Sequence, residues 1–138
     1  EWAKRGKWGV NDHHTLFQVR DLMSYFEMKN IPIARVGLQV GHDVTTPVVL
    51  GPRTDNLRMR VAYLQFFDKM AAAVALGGIE EKIELRVNPK DLAYAKGVEN
   101  DNIRLLRSRL GHVYIGLGSD PCVMRGSVMV QLRGDQSV

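Results

Sequence analysis

The sequence predicts an α+β fold: a two-layer α/β sandwich in which a mostly antiparallel or mixed sheet of four to five strands carries helices on one face. Three observations predict it. Apolar residues recur at helical spacing in some stretches and alternate in others, in the order α-β-β-α-β-α-β-β. Each well-defined strand has a single apolar face, which suits a sheet covered on one side. The continuous apolar strands of a doubly wound parallel sheet do not occur.

The elements follow in order. Asn11 or Asp12 caps a first helix, with Thr15 a later alternative, and Leu16, Val19, Leu22, Met23 and Phe26 give it helical spacing. It ends near Lys29-Asn30, because Pro32 disfavours helical geometry at Ile31. Over residues 33–40, Ala34, Val36, Leu38 and Val40 alternate with Arg35, Gly37 and Gln39, which predicts a strand. A short β run at 47–50 completes a hairpin. Thr54 or Asp55 then caps a second helix, with Leu57, Val61, Leu64, Phe67, Ala71 and Val74 along one side. Gly77-Gly78 ends it. Ile83, Leu85 and Val87 alternate with Glu84 and Arg86 in the next strand. Asn88 caps and Pro89 opens a helical stretch over 89–110, interrupted near Gly97, whose second half buries Ile103, Leu106 and Leu110. Val113, Ile115 and Leu117 form a strand, Ser119-Asp120-Pro121 a turn, and Val128, Val130 and Leu132 the last strand.

Composition bounds the class. A chain of 138 residues, 45% apolar and 25% charged, reads as one globular domain over residues 10–138. An arm, residues 1–9, precedes it and holds both tryptophans among basic side chains: Trp2, Lys4, Arg5, Lys7 and Trp8. The net charge of +4 is unevenly placed. Residues 9–100 carry eleven basic and eleven acidic side chains, so the excess sits at the two ends. One cysteine, Cys122, excludes an internal disulfide framework and a multi-Cys zinc site. It points to a reducing compartment, and a small buried apolar thiol is the expectation. No apolar run reaches the length of a membrane span.

Binding candidates come from charge and strand parity. Aromatic and basic residues in the arm suit a polyanion or a partner surface. Parity places Arg35 and Gln39 on the uncovered sheet face with Glu84, Arg86, His112, Tyr114, Gln131 and Arg133. Such faces bind RNA in several α/β modules, through stacked rings and Arg–phosphate contacts. Tyr114 is the only aromatic here, so the signature of an RNA-recognition motif is missing. Arg104 and Arg107 share a helix face, with Arg109 nearby, and Arg forks bind phosphate or carboxylate. His13, His14, His42 and Asp43 lack metal-ligand spacing. The glycines at 111, 116, 118 and 126 lack the Walker Lys-Ser/Thr pair, so turns and close backbone approach explain them.

One longer pattern remains. Ile83-Glu84-Leu85-Arg86-Val87 runs into Asn88-Pro89-Lys90-Asp91-Leu92, and a helix follows. Then come Ser119-Asp120-Pro121, Gly126 and Val128-Met129-Val130. This resembles the C-terminal domain of flagellar and type III export stator proteins, and of the related rotary ATP synthase delta subunits. Those domains have an Asn-Pro-x-Asp-Leu step after a strand and an Asp-Pro…Gly before a hairpin. The likeness covers under half the chain, and the N-terminal half reads as a hairpin where those proteins carry long helices. It implies a non-catalytic assembly subunit.

The leading expectation is therefore a non-catalytic module of a larger assembly, ribonucleoprotein-associated, with RNA or protein subunits as partners. It docks through the arm and the open sheet face, without a cofactor. The alternatives are a protein-binding scaffold or stator-like subunit, and a small enzyme using His13, His14, His42, Asp43 or Cys122.

Overall fold

A computed structural model describes residues 12–37, 56–76, 82–111 and 114–132, with backbone alone at Asp12, His13 and Leu132. Contacts divide the chain into two units, Glu1–Val61 and Ala62–Val138.

In the first unit, helix α1 (Asp12–Met28) buries Leu16 and Met23, two turns apart on one face. Its end is a Schellman motif. Asn30 takes φ +54, the Ile31 N–H donates to Phe26 O at 2.9 Å, and the Asn30 N–H donates to Glu27 O at 3.0 Å. These bonds satisfy carbonyls that the helix leaves open, and Asn tolerates the left-handed geometry.

The strand expected from residue 33 does not form in its described part. Residues 31–36 carry no regular secondary structure, and the chain bends at Gly37. Alternation gives a chain two unlike faces, but a strand also needs a hydrogen-bonded partner. Gly37 at φ +71 turns the backbone out of the extended run. The rest of the proposed hairpin, and the caps Thr54 and Asp55, lie outside the described residues.

Helix α2 (Leu57–Leu76) is continuous across the unit boundary. The row it buries in the second unit is Phe66, Met70 and Val74, at i, i+4 and i+8. The sequence pattern had favoured Phe67 and Ala71, which flank that row half-buried.

The second unit is a three-stranded sheet covered by helices. β1 is Lys82–Val87, β2 Tyr114–Ser119 and β3 Val128–Leu132, in spatial order β2-β1-β3. β1 pairs parallel with β2 and antiparallel with β3. The sheet is thus mixed, as expected. It has three strands among the described residues rather than four or five, and α1 and α2 both precede β1.

A parallel pair needs a crossover. Here it is helix α3 (Leu92–Lys96) and helix α4 (Asp101–Leu110). Short 3-10 turns precede each, at Pro89–Asp91 and Val98–Asn100. The interruption expected near Gly97 is present, with Gly97 at φ 72 and ψ −173. Such geometry is essentially restricted to glycine.

Ile83, Leu85 and Val87 of β1 and Ile115 of β2 are fully buried. They meet Phe66, Met70 and Val74 of α2, Ala95 of α3 and Leu106 of α4 in one cluster. All three helices therefore pack on the same face of the sheet.

Candidate functional site

Strand alternation sends Lys82, Glu84 and Arg86 of β1 to the face opposite the core. Strand register adds Tyr114, Gly116 and Gly118 of β2, and Gln131 and Met129 of β3. The side chains on this face are tied to one another. Arg86 Nε donates to Gln131 Oε1 at 3.3 Å, and Arg86 Nη2 lies 3.2 Å from Glu84 Oε1.

The glycines explain how these groups lie flat. A Cβ on Gly116 would sit 3.2 Å from the Tyr114 ring, and one on Gly118 would collide with the Arg86 guanidinium. Tyr114 and Arg86 are thus laid across β2 where it has no side chains. Among the described residues, Tyr114 and Met129 are the exposed apolar groups of the face, at 44% and 43%.

Helix α4 supplies the basic rim. Arg104 pairs with Asp101 one turn earlier. Arg107 Nη2 donates to the Ile115 carbonyl at 2.8 Å, and its guanidinium lies 5.9 Å from the Tyr114 ring centroid. Arg109 stacks over Phe67 at 5.1 Å. Arg104 and Arg107 line a shallow groove of about 570 Å³ with Glu99, Asn100, Ile103 and Ser108.

A second constellation, not anticipated as a unit, locks the loop after β2. Asn88 Oδ1 accepts from the Lys90 N–H at 3.1 Å, and Asn88 Nδ2 donates to Val123 O at 2.9 Å. Asp91, only 2% exposed, accepts from Arg125 Nε at 2.7 Å and from the Gly126 N–H at 2.8 Å. Lys69 Nζ donates to Gly126 O at 2.8 Å. The Asn-Pro-x-Asp step and the Asp-Pro…Gly loop are therefore two halves of one clamp. The signal was present in the sequence as the spacing of Asn88 and Asp91. Nothing in a linear pattern said that their partners lay 35 residues on.

The loop also corrects the expectation for Cys122. Its thiol is free and exposed. Asp120 Oδ1 accepts from the Cys122 N–H at 2.8 Å, an Asx-turn that leaves the side chain at the tip. Val123 turns inward instead, at 7% exposure.

Of the other sequence candidates, Arg35 is exposed in the irregular segment of the first unit and is in no strand. His14 is exposed near the start of α1. The arm residues Trp2, Lys4, Arg5, Lys7 and Trp8, together with Gln39, His42, Asp43, His112 and Arg133, lie outside the described residues. Among the described residues, no group of three or more His, Cys, Asp or Glu side chains could hold a metal ion. No described helix is long and apolar enough to cross a membrane. Compared with protein-family models, curated proteins and solved structures, the chain matches none.

Proposed function

We propose that this chain is a non-catalytic module of a larger assembly that docks on protein through the open face of its sheet. One observation carries the reading. The Glu84–Arg86–Gln131 network joins charge on the face to charge on the face, leaving Tyr114 and Met129 as its exposed apolar groups. Tyrosine, methionine and arginine are the residue types enriched at protein interfaces. Arg86, the guanidinium on this face, is already engaged by the Glu84 carboxylate and is not set out to hold a phosphate. A reducing compartment suits the exposed thiol of Cys122.

The test is capture of a defined partner, first identified by purifying the native chain with its complex. Tyr114→Ala combined with Met129→Ala should weaken that partner's affinity about tenfold, equivalent to ~1.4 kcal/mol. An unchanged affinity would reject the face as the docking surface.

The composition of the arm favours a second reading, a ribonucleoprotein subunit with Lys4, Arg5 and Lys7 on phosphate and Trp2 or Trp8 stacking on bases. Binding to generic RNA should then fall steeply with added salt. Deleting residues 1–9 should abolish it. Retention of RNA by the deleted chain, or affinity indifferent to salt, would exclude this reading.

A further inference from the structure

The free edge of β2 carries an inference of its own. Main-chain polar groups point alternately to the two sides of a strand. The Asp120 N–H donates to Val87 O at 2.9 Å, extending the β1–β2 ladder. Residues 114, 116 and 118 therefore turn their N–H and C=O groups toward β1, and Ile115, Leu117 and Ser119 turn theirs outward. Arg107 confirms the direction independently, because its Nη2 reaches the Ile115 carbonyl from outside the ladder.

Among the described residues, the Leu117 and Ser119 main-chain groups on that edge have no partner. Among the described residues, the contacts of Arg107 are with neutral acceptors, the Ile115 carbonyl and the Tyr114 ring. Among the described residues, a cation in no ion pair thus stands beside strand-edge groups that have no partner.

We infer that the β2 edge accepts an extended acidic peptide as an added strand. Residues opposite one another on paired strands share a face. The peptide residue opposite Ile115 points to the helix side, where Arg107 arises, and is acidic. The residue opposite Leu117 points to the same side. It meets Leu117 and Ile103, both half-buried against the core, and is apolar. The recognised pattern is therefore an acidic and an apolar residue separated by one position. On binding, Arg107 releases the Ile115 carbonyl to the incoming N–H and takes the carboxylate. Strand addition of this kind draws affinity from the main chain and specificity from alternate side chains. An added copy of β2 fits less well, because it offers no carboxylate at the position of Arg107.

The edge residues are distinct from Tyr114 and Met129, so this inference and the open-face reading fail separately. The probe is a fluorescent heptapeptide, Thr-Val-Thr-Glu-Thr-Val-Thr, titrated into the full chain and followed by anisotropy, with a counterpart in which Lys replaces Glu. The acidic peptide should bind at least about tenfold more tightly than the lysine one. It should also slow hydrogen exchange at the Leu117 and Ser119 amides and not at Met129. Arg107→Glu should invert the preference between the two peptides. Ser119→Pro removes an outward N–H, leaves Arg107 in place and should abolish binding. It keeps the inference testable if the Arg107 variant does not fold. Equal binding of both peptides, no binding, or binding without protection at Leu117 would overturn it. Protection of those amides that rises with protein concentration alone would assign the edge to a second copy and overturn it too.

Discussion

Asp91 shows how one residue fixes a loop. Its side chain is 3% exposed, and it accepts one bond from a main-chain N–H and one from a guanidinium that is itself 56% exposed. Removing the carboxylate leaves the Gly126 N–H without an acceptor, while Arg125 can turn into water. Asp91→Ala should cost about 1–3 kcal/mol, the range for a buried polar group left unsatisfied. Asp91→Asn keeps an oxygen for the Gly126 N–H and should cost about half as much. Urea denaturation of the two variants decides the point. Equal losses would mean that the main-chain bond contributes nothing and that the arginine contact carries the loop. Side-chain chemistry at this scale was legible only locally. Asn88 as a cap and Pro89 at the first helical position follow from neighbours, whereas the acceptors and donors across the clamp depend on the tertiary fold.

Asn102 acts at the scale of elements. It is buried in α4, and its Nδ2 faces three main-chain carbonyls: Tyr63 O at 3.0 Å, Ala95 O at 3.2 Å and Tyr94 O at 3.4 Å. One amide thereby joins α2, α3 and α4. Gly97 makes room for it, since a Cβ there would sit 3.0 Å from Asn102 Cγ. Gly97→Ala should cost about 1–3 kcal/mol from its backbone geometry alone, with a steric part added by the amide. Asn102→Ala removes that steric part along with the hydrogen bonds. The double variant should therefore be more stable than the two single losses added together, a coupling that a double-mutant cycle in urea measures. Strict additivity would mean that the Gly97 cost is all backbone strain. Elements were legible where period and punctuation agreed. Residues 83–87 alternate and found partners on both sides, and the break at Gly97 was marked by the glycine itself. Residues 33–37 alternate equally well and form no strand, because alternation encodes two faces and not a pairing partner. Which residues lie on the face opposite the core was legible from parity at Glu84, Arg86, Tyr114 and Gln131, while the outward side of β2 required the ladder's direction.

At the scale of the whole molecule, every residue of the main buried cluster lies between Phe66 and Ile115, within the unit Ala62–Val138. The three α2 residues in it each contribute roughly 1.5–3 kcal/mol of burial, set against a total stability of about 5–15 kcal/mol for a domain. Helix α2 is therefore part of the sheet's fold, although β1, the crossover helices and β2 separate it from β3 in sequence. A fragment over residues 56–138 keeps that helix whole and should unfold cooperatively in urea. A fragment over 77–138 loses Phe66, Met70 and Val74, the Lys69 contact to Gly126 O and the Tyr63 carbonyl that Asn102 uses. It should expose the apolar sheet face and fail to give a cooperative transition. Circular dichroism and dispersed amide resonances read both outcomes. A folded 77–138 fragment would show that the sheet closes its core without α2, and an unfolded 56–138 fragment would show that the second unit depends on the first.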